Sequence, residues 1–124
     1  MDTHLLVWSA YTPRKISSSA RSLINSTENE LFFSAANLWE IAIKQSLGRG
    51  DFQVDPHLLR RGLIDNGYSE LSVTSDHAIA IRTLPVLHKN PFDRILIAQA
   101  IVEGFTLLTA DKIVASYPGP IRRV

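Results

Sequence analysis

Cysteine is absent from the sequence. That excludes a disulfide framework, a thiolate metal site and a cysteine nucleophile, and it suits a reducing compartment. Long apolar runs are also missing. The longest uncharged apolar stretches, Leu5 to Tyr11 and Ile95 to Val102, fall far short of the ~20 residues a membrane helix needs. Neither charge sign dominates: thirteen Lys and Arg face twelve Asp and Glu, for a net +1. This balance argues against a basic nucleic-acid-binding tail and against an acidic disordered chain, while leaving room for a local basic patch. Met1 is followed at once by Asp2, which is no basic and apolar leader. The expectation is a cytoplasmic protein with no membrane association. There is no internal repeat and no low-complexity block. Gly48-Arg49-Gly50 is too short for a phosphate loop and follows a helix instead of preceding one.

What is present is one domain's worth of chain. The 124 residues, 45% hydrophobic, can bury roughly two-thirds of their unfolded surface in a single unit over 1–124. Helices are expected over 4–9, 18–26, 35–47, 56–64, 75–84, 91–103 and 111–116. Strands are expected over 30–34, 70–74, 105–109 and 120–124. The punctuation supports these boundaries. Ser17 to Ser19 and Asn90 suit helix starts, Asp55 with Pro56 is a cap followed by a first-turn proline, and Gly48, Gly50, Gly67 and Gly104 suit helix ends. Alternating strands and helices imply a parallel sheet covered by helices. The helix from Pro91 is apolar around most of its circumference, so it is expected to be deeply buried or to lie partly in a subunit interface.

Four acids fall near the ends of these elements, where open α/β sheets bind their ligands. Asp2 precedes the first helix, and Asp111 follows the strand ending in Leu107-Leu108-Thr109; each has a plain explanation as a helix cap. Glu40 shares a helical stripe with Asn37 and Lys44, and a solvated Glu40–Lys44 pair explains it. Asp93 lies in the first turn of its helix, where the helix dipole favours an acid. The functional alternative is one shared site. Carboxylates gathered from several elements repel one another unless a divalent cation lies among them, and hard cations such as Mg²⁺ and Mn²⁺ prefer oxygen ligands. The chemistry that suits such a site is phosphodiester hydrolysis by activated water.

Other residues divide between functional and structural readings. Thr109 suits a bond to metal-bound water or a carboxylate, or is a strand-end hydroxyl. Asn37 orients Glu40 or is a polar helix-entry residue. Lys44 and Arg94 hold phosphate, or Arg94 pairs with a neighbouring acid. Arg49, Arg60 and Arg61 form a basic rim or a solvated face. Trp8 and Trp39 fit core or dimer packing better than base stacking. His4, His57, His77 and His88 lack zinc-like spacing and read as surface or packing residues.

At these positions the chain resembles the PIN-domain ribonucleases, in particular VapC-type toxins of bacterial toxin–antitoxin pairs. The matching stretches are Asp2 to Trp8, Ser34 to Lys44 with Leu47-Gly48, Leu84-Pro85 with His88 to Arg94, and Gly104 through Thr109-Ala110-Asp111. The combination of Trp39-Glu40-Ile41, Pro91-Phe92-Asp93-Arg94 and Thr109-Ala110-Asp111 is specific, whereas each alone is weak. The resemblance implies a three-layer α/β/α fold around a parallel sheet in the order 3-2-1-4-5. It implies that Asp2, Glu40, Asp93 and Asp111 bind Mg²⁺ or Mn²⁺ and carry catalysis. It also implies endoribonuclease activity on RNA, a homodimer and a cognate antitoxin. The chain departs from the family in one respect: only Met1 precedes Asp2, so the first strand of that sheet is expected to be cut short. Two other readings stand beside this one. The first is a catalytically impaired PIN-like module that docks an antitoxin or RNA. The second is a receiver-like regulatory domain, disfavoured because Asp2 lacks a paired acid and Asp111 stands near the place of the expected lysine.

If four acids surround a metal, eight remain against thirteen bases. A net charge of +1 is then compatible with an acidic centre and a basic rim.

Overall fold

Hydroxyl, carboxyl and amide side chains begin the helices. The computed structural model describes residues 1–48, 53–87 and 90–124; Arg49, Gly50, His88 and Lys89 lie outside the described residues. Helix α1 (Thr3–Tyr11) is capped by Asp2 and α2 (Ser18–Asn25) by Ser17. Strand β1 (Phe32–Ser34) runs directly into α3 (Ala35–Ser46). Ser34 caps α3 in a reciprocal box in which the Asn37 side chain accepts the Ser34 N–H. Helix α4 (Pro56–Asp65) begins on Asp55 and its first-turn proline. Strand β2 (Ser69–Leu71), α5 (Ser75–Ala80), α6 (Pro91–Glu103), β3 (Leu107–Thr109), α7 (Lys112–Ala115) and β4 (Ile121–Arg123) follow. Gly104 takes the left-handed conformation, φ 72°, that closes α6, a conformation that costs glycine least.

Several expected elements are shorter in the structure, three of them for a visible reason. The helix over 75–84 stops at Ala80 and tightens into a 3₁₀ turn at Ile81–Thr83. Leu84 is extended, because a residue before proline is pushed out of the helical region. The strand over 70–74 ends at Leu71; beyond it the Ser72 carbonyl accepts the Gln99 side chain and Thr74 caps α5. The strand over 105–109 starts at Leu107, because the Phe105 N–H is taken by the Ala100 carbonyl at the end of α6.

The sheet is divided. Strand β1 pairs in parallel with β2, and β3 pairs in parallel with β4, as two separate two-stranded ladders. A continuous five-stranded sheet is therefore not what the described residues form. Between β1 and β3 lies the Met1–Asp2 segment, whose Asp2 N–H donates to the Leu108 carbonyl at 3.0 Å. That single backbone bond is not enough to form a strand in the centre.

Each ladder has its own core. Phe33 of β1 packs with Leu6 and Val7 of α1, Ile41 of α3 and Leu59 and Leu63 of α4. Leu107 of β3 packs with Leu96 and Ile97 of α6, Val114 of α7 and Tyr117. Helix α3 bridges the two, since Ala36 belongs to the second core while Ile41 belongs to the first. Helix α6 is buried from Ile95 to Ala100, whereas Ile101 and Val102 are partly exposed. Among the described residues, no helix is long and apolar enough to cross a membrane.

Candidate functional site

The carboxyl ends of β1 and β3 carry the polar network. Asp2 lies between them, and its two oxygens have separate partners. Oδ1 accepts the Leu5 N–H at 2.9 Å, capping α1, while Oδ2 accepts the Thr109 hydroxyl. The Thr109 oxygen in turn accepts the Asp111 N–H at 2.9 Å. Asp111 Oδ1 caps α7, accepting the N–H groups of Ile113 at 2.7 Å and Val114 at 3.2 Å. Thr109, the last residue of β3 and fully buried, thus joins two of the four expected acids.

Asn37 makes the corresponding link on the other side. Its Oδ1 accepts the Ser34 N–H at 2.8 Å, and its Nδ2 donates to Thr3 Oγ1 at 3.0 Å and to the Met1 carbonyl at 3.3 Å. These bonds fix the start of α3 against the segment that carries Asp2. They engage Asn37 with backbone and hydroxyl groups; orienting Glu40 is not among the bonds it makes. Thr3 is a member of this network that the sequence did not single out. A polar residue placed between a capping aspartate and an apolar run was the available sign.

Glu40 lies three residues beyond Asn37 on the same stripe of α3, where it is only 1% exposed. The pair with Lys44 forms, with Nζ at 2.7 Å from Oε2, yet the face is not solvated. Oε1 is buried and has no hydrogen-bond partner. A buried carboxylate is costly unless its lone pairs are answered, and one ion pair answers only one oxygen.

Asp93, in the first turn of α6, and Asp111 are both half-buried. Trp39 and Phe92, the chain neighbours of Glu40 and Asp93, meet edge to face with ring centroids 5.0 Å apart. This contact brings α3 and the start of α6 together. It also corrects the core reading of Trp39: the ring leans on Phe92 but is 57% exposed. Arg94 directs its guanidinium to the Ile81 and Leu84 carbonyls, both at 3.4 Å, which ties α6 to the 3₁₀ turn. Arg60 and Arg61 are exposed on α4.

His77 has a structural setting. It is fully buried; its Nδ1 accepts the Thr74 N–H, and its Nε2 lies 3.0 Å from Glu103 Oε1. At the other end of the network, burial pushes the Met1 amino group below its ordinary pKa, and the adjacent Asp2 carboxylate partly opposes that shift.

The available donors are carboxylate and hydroxyl oxygens, with no sulfur, which is the set hard divalent cations prefer. The partnerless Glu40 oxygen fits such an ion. No three His, Cys, Asp or Glu residues among the described residues converge closely enough to form a metal cluster. The side chains of Asp2 and Asp111 are instead engaged as helix caps.

A family model for the PIN domain matches residues 1–120. No curated protein matches the chain.

Proposed function

The chain belongs to the PIN-domain family, whose nuclease members generally use divalent metal ions, and on that footing we propose that it is an endoribonuclease acting as the toxin of a toxin–antitoxin pair. The reading takes 1–124 as one domain, acting in the cytoplasm as a homodimer on RNA and held in check by a cognate antitoxin. Asp2, Glu40, Asp93 and Asp111 would hold Mg²⁺ or Mn²⁺, some of them through bound water, since such an ion takes only one or two carboxylates directly. When bound, such an ion polarises a phosphoryl oxygen and lowers the pKa of water.

The observation that carries this reading is Glu40 Oε1, an orphaned carboxylate oxygen in a site of hard donors. The chain's own residues prepare the rest. Lys44 holds the other Glu40 oxygen, which favours the ionised carboxylate a cation needs. Thr109 donates to Asp2 and accepts from the Asp111 backbone, so one hydroxyl sets the position of both acids. Asn37 fixes the start of α3 against the Met1–Asp2 segment and thereby sets the depth at which Glu40 enters. Arg94 and the exposed Arg60 and Arg61 supply positive charge for RNA phosphates.

The test combines RNA cleavage with Mn²⁺ binding followed by calorimetry. The wild-type protein is expected to cleave RNA with Mn²⁺ and to lose the activity in EDTA. Glu40→Gln is expected to abolish cleavage and weaken Mn²⁺ binding while the circular dichroism spectrum is kept. A folded wild-type protein that neither cleaves RNA nor binds Mn²⁺ would overturn the nuclease reading in favour of the docking module.

A further inference from the structure

The outer side of α1 and the turn after it carry one sign of charge. Between Asp2 and Glu28 the chain has no acid, and the same stretch holds Arg14, Lys15 and Arg21. All three bases are exposed. Arg21 of α2 donates to the Pro13 carbonyl at 3.1 Å, which brings it beside the turn that carries the other two. Among the described residues none of the three makes an ion pair. A surface that serves solubility alone carries both signs interspersed.

Aromatic rings run along the same side. His4, Trp8 and Tyr11 stand at i, i+4 and i+7 of α1, so they share one face. Leu6, on the opposite face, is fully buried. His4 and Trp8 meet with ring centroids 5.8 Å apart, tilted by 56°. Lys15 holds its Nζ 5.8 Å from the Trp8 ring centroid, within reach of the negative face of the ring. Tyr11 is 53% exposed. Trp8 is half-buried and belongs to neither apolar core; its ring partners are His4 and Lys15, which removes the core reading of this residue.

The row begins beside the acids. Asp2 caps α1, and His4 follows two residues later. From His4 to Tyr11 the helix rises ~10 Å, and Arg14 and Lys15 lie just beyond its end. A polymer leaving the acidic site along α1 therefore meets rings first and cations next.

Rings beside unpaired cations match the chemistry of an unpaired nucleic-acid strand. Each base offers a π-face to a ring, and each phosphate offers its charge to a cation. Bases closed inside a duplex have no face to offer.

We infer that this face of α1 binds the stretch of RNA flanking the cleaved phosphate. Unpaired bases stack on Trp8 and Tyr11, and Arg14, Lys15 and Arg21 hold the phosphates of the same strand. The Lys15 ammonium passes from the Trp8 ring to a phosphate as a base takes its place. The inference rests on the nuclease reading for the choice of RNA and for the position of the cleaved bond. It adds the surface that grips the strand.

The test uses the full chain carrying Trp39→Phe, which leaves Trp8 as its one tryptophan. The probe is a short, labelled, mixed-sequence RNA without self-complementarity, alone or annealed to its complement. Binding is followed in EDTA, where cleavage is not expected, by anisotropy of the label and by Trp8 fluorescence. The single strand is expected to bind at least tenfold more tightly than the duplex and to quench Trp8. Tyr11→Ala, at an exposed position, is expected to weaken binding at least fivefold with the circular dichroism spectrum kept. Trp8→Ala should weaken it further, and Trp8→Phe should restore most of the loss. Lys15→Ala should lower the slope of log affinity against log salt by about 0.7.

Equal binding of single strand and duplex, an unquenched Trp8, or unchanged binding in both alanine variants overturns the inference. So does tighter binding of DNA of the same sequence. Quenching by rising protein concentration alone would assign the face to a second copy, and tighter quenching by a Glu-rich peptide would assign it to a polypeptide; either result overturns it. Cleavage by a protein that fails these tests leaves the nuclease reading standing. Trp8-dependent binding without cleavage fails the nuclease reading and keeps the strand-binding face.

Discussion

The two halves of the molecule follow one plan and place their acids differently. In each, an inner parallel strand ends in a hydroxyl residue: Ser34 in β1 and Thr109 in β3. In the first half the helix starts at once, with Ser34 as its cap. Glu40 is thereby carried a turn and a half into the interior. In the second half Ala110 intervenes, and the cap is itself the acid, Asp111. One acid is buried with an unanswered oxygen, whereas the other is half-buried and engaged with α7. A carboxylate's chemistry is thus set by how far past the strand end its helix begins.

The inner and outer strands differ as well. Phe33 and Leu107 on the inner strands are buried, whereas Glu70, Arg122 and Arg123 on the outer strands are exposed. Charged outer strands discourage further pairing at the sheet margins. The inner edges carry no such protection.

The largest expected effects come from breaking one half at a time. Phe33→Ala removes the largest fully buried side chain of the first core and is expected to cost ~3–5 kcal/mol; Ile97→Ala in the second should cost ~2–5 kcal/mol. Urea unfolding followed by far-UV circular dichroism and tyrosine absorbance checks both. If α3 couples the cores, each variant lowers one common transition. A variant that splits the transition in two would show that the halves unfold separately.

The link between halves is sharpened by Thr109→Val. Losing the hydroxyl leaves Asp2 Oδ2 and the Asp111 N–H without their shared partner, at an expected ~1–3 kcal/mol. On the nuclease reading Mn²⁺ affinity also falls, by ~10–100-fold. Calorimetry compared with the urea midpoint separates the two losses.

A smaller effect separates the cores by pH. Burial raises the pKa of Tyr68 in the first core, and a hydrogen bond with Ser9 opposes the shift. The folded protein holds this proton when the unfolded chain has released it. The resulting stability is full below the ordinary tyrosine pKa, 10.0, and declines as pH rises through the higher folded value. Urea midpoints measured upward from pH 9 should fall less steeply in Tyr68→Phe; parallel profiles would remove Tyr68 as the cause. The smallest change is expected at the outer edge. Arg123→Ala on exposed β4 should shift stability by no more than ~0.5 kcal/mol in the same assay, and a larger loss would mean that the edge is covered.

Much of the architecture was legible because local chemistry writes it. Asp55-Pro56, Asn90-Pro91 and Gly104 mark helix ends whatever surrounds them. Asp2, Asp93 and Asp111 stood out because they lie at element ends, and Glu40 because it shares a helical stripe with Asn37 and Lys44. Three features resisted the sequence. Glu40 read as a plausible solvated partner of Lys44; the pair forms, but the packing of α3 buries it. Trp39 read as core or dimer packing; the turn of α3 that buries Asn37 and Glu40 leaves it leaning outward on Phe92, which removes the core alternative alone. Asn37 read as a helix-entry polar residue or a partner for Glu40; it is the former, in the capping box of α3, but its bonds to the Met1 carbonyl and Thr3 form only after α1 has docked.

The sequence by itself determined the order and type of the elements, because caps, prolines and apolar periods act within a few residues. It also determined which acids were available to a site. Tertiary structure decided which carboxylate is buried, which ring is exposed and that the sheet is split. Those outcomes depend on backbone groups far apart in the chain finding hydrogen bonds, and Leu108 meets Asp2 only when the whole fold brings them together.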